Sequence, residues 1–394
     1  MTQVSQDKAT QLAVLMLLSS FCSSLIFPVL PLAVLTWGND AAAGGLLVSA
    51  YGFVSMCAAP LLGRMSDRIG QRRVLVGCYL VGVISYLGLA SAAGLVAALI
   101  WRIVAGLAAG SVAVLQAAVL DAGGEDKSKG LTQLSAFWAL GYVLGPACSA
   151  LLTFGGDLAV VSLIAAGVTL VQMIWAQITI ARFAQASPMA GEVRWRIQMP
   201  HRRLLVPLAS MCVIAAVQAG LFAMAGYFCT LQLGWGAREL AILLVEGAFA
   251  VATFQFFILR RMIAHFGARI AGSSACIVGA SAGVVLALLP TTGLVMAVAT
   301  PLLFIATSAA QTCLLSAYTE VCGETDRGSK MGISTMVTTL GQVGGPTLFG
   351  FAMVAIAERA LFFGAAAGFA LVGVGQVITY LLEQAAMRHE HTRL

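Results

Sequence analysis

The sequence predicts an all-α polytopic membrane protein with twelve transmembrane helices in two six-helix bundles, and three observations carry that expectation. Hydrophobic residues fill 60% of the 394 positions and charged residues only 10%, against roughly 25% charged in soluble domains. Apolar runs of about 20 residues, the length that crosses a bilayer core, recur along the whole chain. The third observation is a duplication: Leu140-Gly141-Tyr142-Val143-Leu144-Gly145-Pro146 returns as Leu340-Gly341-Gln342-Val343-Gly344-Gly345-Pro346. The short alternating strands of an outer-membrane barrel are absent from the pattern.

In chain order, the first half has spans near 12–35, 42–62, 74–92, 95–120, 131–154 and 158–180. The second half has spans near 204–231, 239–259, 270–289, 294–318, 331–357 and 360–382. The first run has a polar leader without a basic region, and Phe27-Pro28-Val29-Leu30-Pro31 lacks the small residues of a cleavage site, so it is expected to remain as a span. Domain boundaries follow: a bundle over 1–181, a basic linker over 182–203 with Ser187-Pro188 and Met199-Pro200, and a second bundle over 204–394. The linker reads as a positive loop at the cytoplasmic face, with lipid headgroup contact as the other reading.

Sidedness comes from the cations. One set of connections holds Lys8, Arg64, Arg68, Arg72, Arg73, Lys127, Lys129, Arg260, Arg261, Arg269, Arg327 and Lys330, together with the linker arginines and Arg388 and Arg393. The opposite set holds only Arg238 and Arg359. Both termini are therefore expected in the cytoplasm, which an even number of spans requires. Short loops and the absence of a glycosylation sequon, Asn39 being the sole Asn, place the chain in a bacterial inner membrane as a multi-pass protein, expected to be a monomer. The repeat extends further: Arg64-Met65 and Gly70 match Arg261-Met262 and Gly267, and 121–125 matches 320–324. Two halves duplicated in parallel orientation suit a transporter whose halves rock about a central site.

Several function classes drop out. The net charge of +6 sits in short connections and not on one face, so nucleic acid is not an expected partner. Cysteines 22, 57, 78, 148, 212, 229, 276 and 313 lie in apolar runs without zinc-ligand spacing and read as small packing residues. With no metal cluster, nucleotide loop or hydrolase motif, the chain is expected to be neither an enzyme nor an ATP-driven pump, and to need no cofactor.

Four features carry chemistry. The connection Gly63-Arg64-Met65-Ser66-Asp67-Arg68-Ile69-Gly70-Gln71-Arg72-Arg73 offers glycines for a tight turn and close helix approach, and a carboxylate, Asp67, that can face a helix N-terminus. Arg102 stands inside the fourth span, followed by Gly106 and Gly110; a buried arginine there costs roughly 2.5 to 3.5 kcal/mol and must face a cavity or a partner, or else snorkel outward. Glu246 is the clear acidic residue inside a span. It could alternate between charged and protonated forms, line a pore as a substrate contact, or pair with Arg102 or Arg238. Gly141, Gly145 and Pro146 give the fifth span small residues for close packing and a proline that favours a bend.

The 63–73 connection closely resembles the loop signature of the major facilitator superfamily, and Arg102-Gly106-Gly110 resembles that superfamily's fourth-span motif. Gly141-x-x-x-Gly145-Pro146 resembles its antiporter motif, with Ser149-Ala150 where the family pattern continues Gly-Gly. With Ile26-Phe27-Pro28-Val29-Leu30-Pro31 in the first span, the amino-terminal half looks like the twelve-span drug:proton antiporters, tetracycline exporters in particular. Motif-level similarity is concentrated between residues 26 and 150.

The resemblance implies a major facilitator fold and a secondary active transporter that exports small amphipathic organic molecules by alternating access, driven by the proton gradient. It makes Gly63, Asp67, Arg68, Gly70 and Arg72 a cytoplasmic gate, with Asp67 against the start of the eleventh span, and links Arg102 to proton transfer. Glu246 is then the first proton-carrier candidate, with Asp121 and Asp67 as alternatives; Asp121 also suits a gate network with Arg68 or Arg72. It assigns spans one, four, seven and ten to the cavity, where Phe27, Arg102, Gln116, Gln218, Phe222, Tyr227 and Gln311 are the expected substrate contacts, beside Ser308 and Thr312. An apolar cavity with few hydrogen-bonding groups suits a drug-like cargo. Export of an endogenous metabolite such as a siderophore, a nutrient symporter, and a non-transporting receptor are the rival readings.

Overall fold

The computed structural model describes residues 3–122, 127–152, 157–181, 202–321 and 327–391. Every regular element among them is helical. The first span is two helices, α1 (Gln3–Leu25) and α2 (Leu30–Thr36), joined by a turn around Pro28, which supplies no N–H to a continuing helix. Helix α3 (Ala41–Ile69) starts on Asp40, whose carboxylate accepts from the Ala43 amide at 3.0 Å. It passes into α4 (Gln71–Ala90) through Gly70 alone. The fourth span is again double, α5 (Leu95–Ala109) and α6 (Ser111–Ala122), and α7 (Lys127–Leu152) and α8 (Leu158–Ala181) follow.

The second half runs α9 (Arg202–Leu233), α10 (Ala237–Phe254), a π-helical turn over Gln255–Leu259, α11 (Arg260–Leu288), α12 (Gly293–Val321), α13 (Arg327–Ala355) and α14 (Ala360–His391). Helix α11 is broken at Gly267 (φ 81°, ψ 158°) into an arm that completes the eighth span and an arm that is the ninth. By length and hydropathy, nine stretches of the described residues can cross a membrane, and one of them, the 52-residue Ala237–Leu288, holds both of those spans. Adding α7, whose apolar part is Ala136–Ser149, and α13 completes the twelve.

The chain divides into two compact units, Met1–Val193 with Cys229–Val245, and Arg194–Phe228 with Glu246–Leu394. The linker residues 182–201 lie outside the described residues. In the first unit α1 packs along α7 and α8, and α4 along α8 and α5. Leu15, Leu75, Leu115, Val119 and Ala176 meet in its core. Gln172 fastens α8 to α1 by donating from Nε2 to the Leu15 carbonyl at 2.8 Å and to the Ser19 hydroxyl at 2.5 Å. In the second unit α11 packs along α12 and α14. The exposed surface is crowded with large apolar side chains such as Val96, Phe249, Leu294 and Ile356. In water such a surface would aggregate; in lipid it is the solvated face.

The duplication is also a structural one. Gly70 (φ 92°, ψ 142°) and Gly267 (φ 81°, ψ 158°) hold the same backbone conformation at matching places, one that side chains adopt only at a cost. In the first unit a Cβ on Gly141 would overlap the Leu17 carbonyl, and one on Gly145 would stand 2.8 Å from the Phe21 carbonyl and the Leu25 amide nitrogen. In the second unit a Cβ on Gly341 would overlap the Cys212 carbonyl, and one on Gly345 the Ala216 carbonyl. Each fifth span thus lies backbone to backbone on the first span of its own unit.

The loops opposite the basic ones finish the helices. Asp157 accepts from the Ala159 amide at 2.8 Å and Glu239 from the Gly236 amide at 3.0 Å, satisfying N-terminal donors that a helix leaves open. Arg359, an exception to the charge pattern, donates to the Ala287 carbonyl at 3.1 Å and to the Thr291 hydroxyl at 3.4 Å. It caps the end of α11, where a cation also meets the negative end of the helix dipole.

Candidate functional site

The polar centre of the first unit is built by glycine. Arg102, Gly106 and Gly110 follow one another at four-residue spacing, so they form one stripe of the fourth span. A Cβ on Gly106 would come within 2.7 Å of the Tyr51 carbonyl oxygen, and one on Gly110 within 3.1 Å of the Ala59 amide nitrogen. Helix α5 therefore lies against the backbone of α3. That contact brings the Arg102 guanidinium over the Tyr51 ring, 4.3 Å from its centroid. Away from water, such a cation–π contact is worth about 2 kcal/mol, comparable to the cost of placing the charge there.

The Tyr51 hydroxyl lies 3.3 Å from the Ser23 hydroxyl of α1, and Tyr86 of α4 and Tyr142 of α7 stand within electrostatic reach of Arg102. The Tyr142 ring is tilted against Trp138, with centroids 4.3 Å apart, and against Phe27 at 6.2 Å, beside the break in the first span. Ser24 donates to the Gly141 carbonyl at 3.1 Å, which ties the same region to the close packing of α7 on α1. Four helices thus converge on one buried, always-charged guanidinium. Arg102 is only 3% exposed, so it is enclosed by protein and does not snorkel.

The gate residues are placed differently from the expectation of a loop. Gly63, Asp67 and Arg68 lie inside α3, Arg72 lies in α4, and Gly70 is the sole non-helical residue between them. Gly70 makes the turn. A Cβ on Gly63 would meet nothing within 4 Å, so the close helix approach expected there is not made in this structure. The side chains of Asp67 and Asp121 lie outside the described residues. Pro146 is buried within an uninterrupted α7, so the expected bend does not break the helix.

In the second unit Glu246 is exposed on α10, and its neighbour Gly247 lies against the Phe304 ring of α12. The sequence allowed a proton carrier, a pore-lining contact or a partner of Arg102 or Arg238; the structure leaves the carboxylate accessible because the buried stripe of α10 runs through Leu240, Leu244 and Gly247. Phe222 packs at 6.0 Å from the same Phe304 ring, and Gln311 donates to the Thr338 hydroxyl at 3.4 Å. Gln218 and Phe27 are partly exposed and Gln116 is exposed. Tyr227 is 1% exposed and belongs to the packed interior of its unit. In the second unit the sequence reading passed over Gln255, whose amide donates to the Ser308 hydroxyl; in the first it passed over Tyr51, the ring under the guanidinium. A lone glutamine in the apolar run of the eighth span was the available signal.

Among the described residues the cysteines are all free thiols, and no group of His, Cys, Asp and Glu is arranged to hold a metal ion.

A sequence model of the Major Facilitator Superfamily matches residues 12–346. The tetracycline resistance protein of class C from Escherichia coli is 35% identical over 132 residues, 32% of this chain and 33% of that protein. Major facilitator superfamily domain-containing protein 10 from Homo sapiens is 33% identical over 109 residues, 27% of this chain and 24% of that protein. These alignments span about a third or less of each relative. Over nearly full length the fold matches the nucleoside transporter NupG (TM-score 0.76, 14% identity, 95% of this chain and 99% of that one). It also matches a bacterial homolog of the human lysosomal transporter Spinster (TM-score 0.76, 14% identity, 98% of each chain).

Proposed function

The chain belongs to the Major Facilitator Superfamily, and from that premise we propose that it is a proton-coupled antiporter exporting small amphipathic organic molecules by alternating access. Glu246 carries this reading. It is the acidic residue in the interior of an apolar span, and its side chain is exposed, so a proton can reach it without unpacking the helix. An ionisable side chain inside a span marks a proton or substrate pathway by default, and one that water can reach can couple proton entry to a conformational change.

Arg102 complements it. A guanidinium does not deprotonate, so it serves as the fixed charge and not as the carrier. Asp121 is the second carboxylate of this reading, acting with Arg68 or Arg72 in the gate. Tetracycline resistance proteins at 30% identity and above support a drug-like cargo and outward transport. The proton gradient is the energy source, both termini lie on the cytoplasmic side of a bacterial inner membrane, and the monomer is the working unit.

The test is reconstitution in liposomes with an imposed proton gradient and a panel of antibiotics and chelators. Gradient-driven flux that Glu246→Gln uncouples is the expected result. Flux indifferent to the gradient, or unchanged in Glu246→Gln, overturns the coupling.

A further inference from the structure

The packing stripe of the eighth span changes register once. Along α10 it descends through Leu240, Leu244, Gly247, Val251 and Phe254 in steps of three and four, as an α-helix requires. The next buried residue is Leu259, 3% exposed, while Ile258 is 46% exposed. That single step of five is the π-helical turn Gln255–Leu259. Phe254 and Leu259 both pack on a cluster with Ala271, Ala309 and Cys313, so the turn is held from both ends by contact with α11 and α12. Such turns are a single-residue excess in a helix and concentrate at functional positions.

The turn sets Gln255 against α12, where its amide donates to the Ser308 hydroxyl. One turn further along α12, Gln311 gives its amide N–H to Thr338 of α13, while its carbonyl oxygen is buried with no hydrogen-bond partner. Gln255 and Thr312 are exposed, and Ser308, Gln311 and Thr338 are partly so. Exposed amides and hydroxyls at this depth face water and not lipid. No charged residue occurs in 293–319 of α12 or 331–355 of α13. The patch is neutral, offers both donors and acceptors, and leaves one acceptor unmet.

We infer that the π-helical turn exists to build a specificity site in the second unit, in which Gln255, Ser308 and Gln311 recognise a neutral hydrogen-bonding group of the cargo, such as a hydroxyl, enol or amide. The Gln255–Ser308 bond closes the site when it is empty, and a substrate donor reaches the Gln311 carbonyl oxygen. This rests on the transport reading of the preceding subsection. It selects by hydrogen bonds, with the charge-bearing Glu246 left to the energy coupling.

The test uses two probes in the proteoliposome assay: tetracycline, rich in hydroxyl, amide and carbonyl groups, and tetraphenylphosphonium, which has no hydrogen-bonding group. Gln255→Leu, Ser308→Ala and Gln311→Leu are each expected to raise KM for tetracycline roughly five- to tenfold and to leave that for tetraphenylphosphonium unchanged, with partial recovery in Gln255→Asn. These changes remove polarity from apolar spans, which favours insertion. Deleting Phe256, which restores α-helical spacing, is expected to reproduce the selective loss.

An unchanged ratio between the probes, an equal loss of both, or a wild-type protein that carries only tetraphenylphosphonium overturns the inference while leaving transport intact. A wild-type protein that moves neither probe removes the transport reading and this inference with it.

Discussion

Adding one methyl group at Gly145 probes the contact that makes each unit a bundle. The new Cβ would stand 2.8 Å from the Phe21 carbonyl oxygen and the Leu25 amide nitrogen, both backbone atoms with no rotamer to yield. Ordinary contact begins near 3.4 Å, so α1 and α7 must part by about half an ångström. Overpacking of this kind costs about 1 to 3 kcal/mol. Alanine's better helix propensity returns at most about 1 kcal/mol. With that return taken in full, the net expected loss for Gly145→Ala is about 0 to 2 kcal/mol, and about 1 to 3 kcal/mol relative to a glycine-to-alanine change that gains the propensity without the clash.

Gly167 of α8 supplies the control, because a Cβ there meets nothing within 4 Å, and Gly167→Ala is expected to be neutral or stabilising. Gly345→Ala, whose Cβ would stand 2.9 Å from the Ala216 Cα and carbonyl carbon, should repeat the Gly145 result in the second unit. Thermal unfolding of the purified protein in detergent measures all three. A Gly145→Ala protein as stable as Gly167→Ala would refute the argument that these glycines are required by backbone contact.

Two further outcomes follow from the turns and caps. Gly70→Ala and Gly267→Ala each force a side chain into a positive-φ conformation (φ 92° and 81°) and are expected to destabilise by about 1 to 3 kcal/mol, read by thermal unfolding; equal stability to the parent would exclude strain at these turns. Arg359→Met removes the donors to the Ala287 carbonyl and the Thr291 hydroxyl and is expected to cost about 1 kcal/mol. Faster amide hydrogen exchange at the end of α11 is the measurement that checks it.

Much of the fold was legible because lipid is a demanding solvent. Every span must hide its backbone in a helix and present about 20 apolar residues, so the twelve runs could be read from the sequence, and their structured counterparts fall close to the expected bounds. Gly70 was legible for a similar reason: its twin, Gly267, repeats at the matching place, and only glycine adopts that backbone freely. The site was less legible. Arg102 announced itself by its cost, and Gly106 and Gly110 by their spacing. Tyr51, the ring under the guanidinium, could not be found, since nothing in sequence connects residues 51 positions apart. Gly63 shows the converse: a glycine in a motif looks like a close contact until the space around it is known.

By itself the sequence determined solvent, span number and duplication, since each is a property of composition and periodicity that no neighbour can override. Only the tertiary structure decided which glycines touch backbone, that Glu246 is exposed while Tyr227 is packed away, and that one π-helical step turns Gln255 onto Ser308. The physical reason is the same in each case. Local pattern fixes that a helix forms and which stripe is apolar, whereas the partner of each side chain depends on where another helix lies, and that is settled by packing alone.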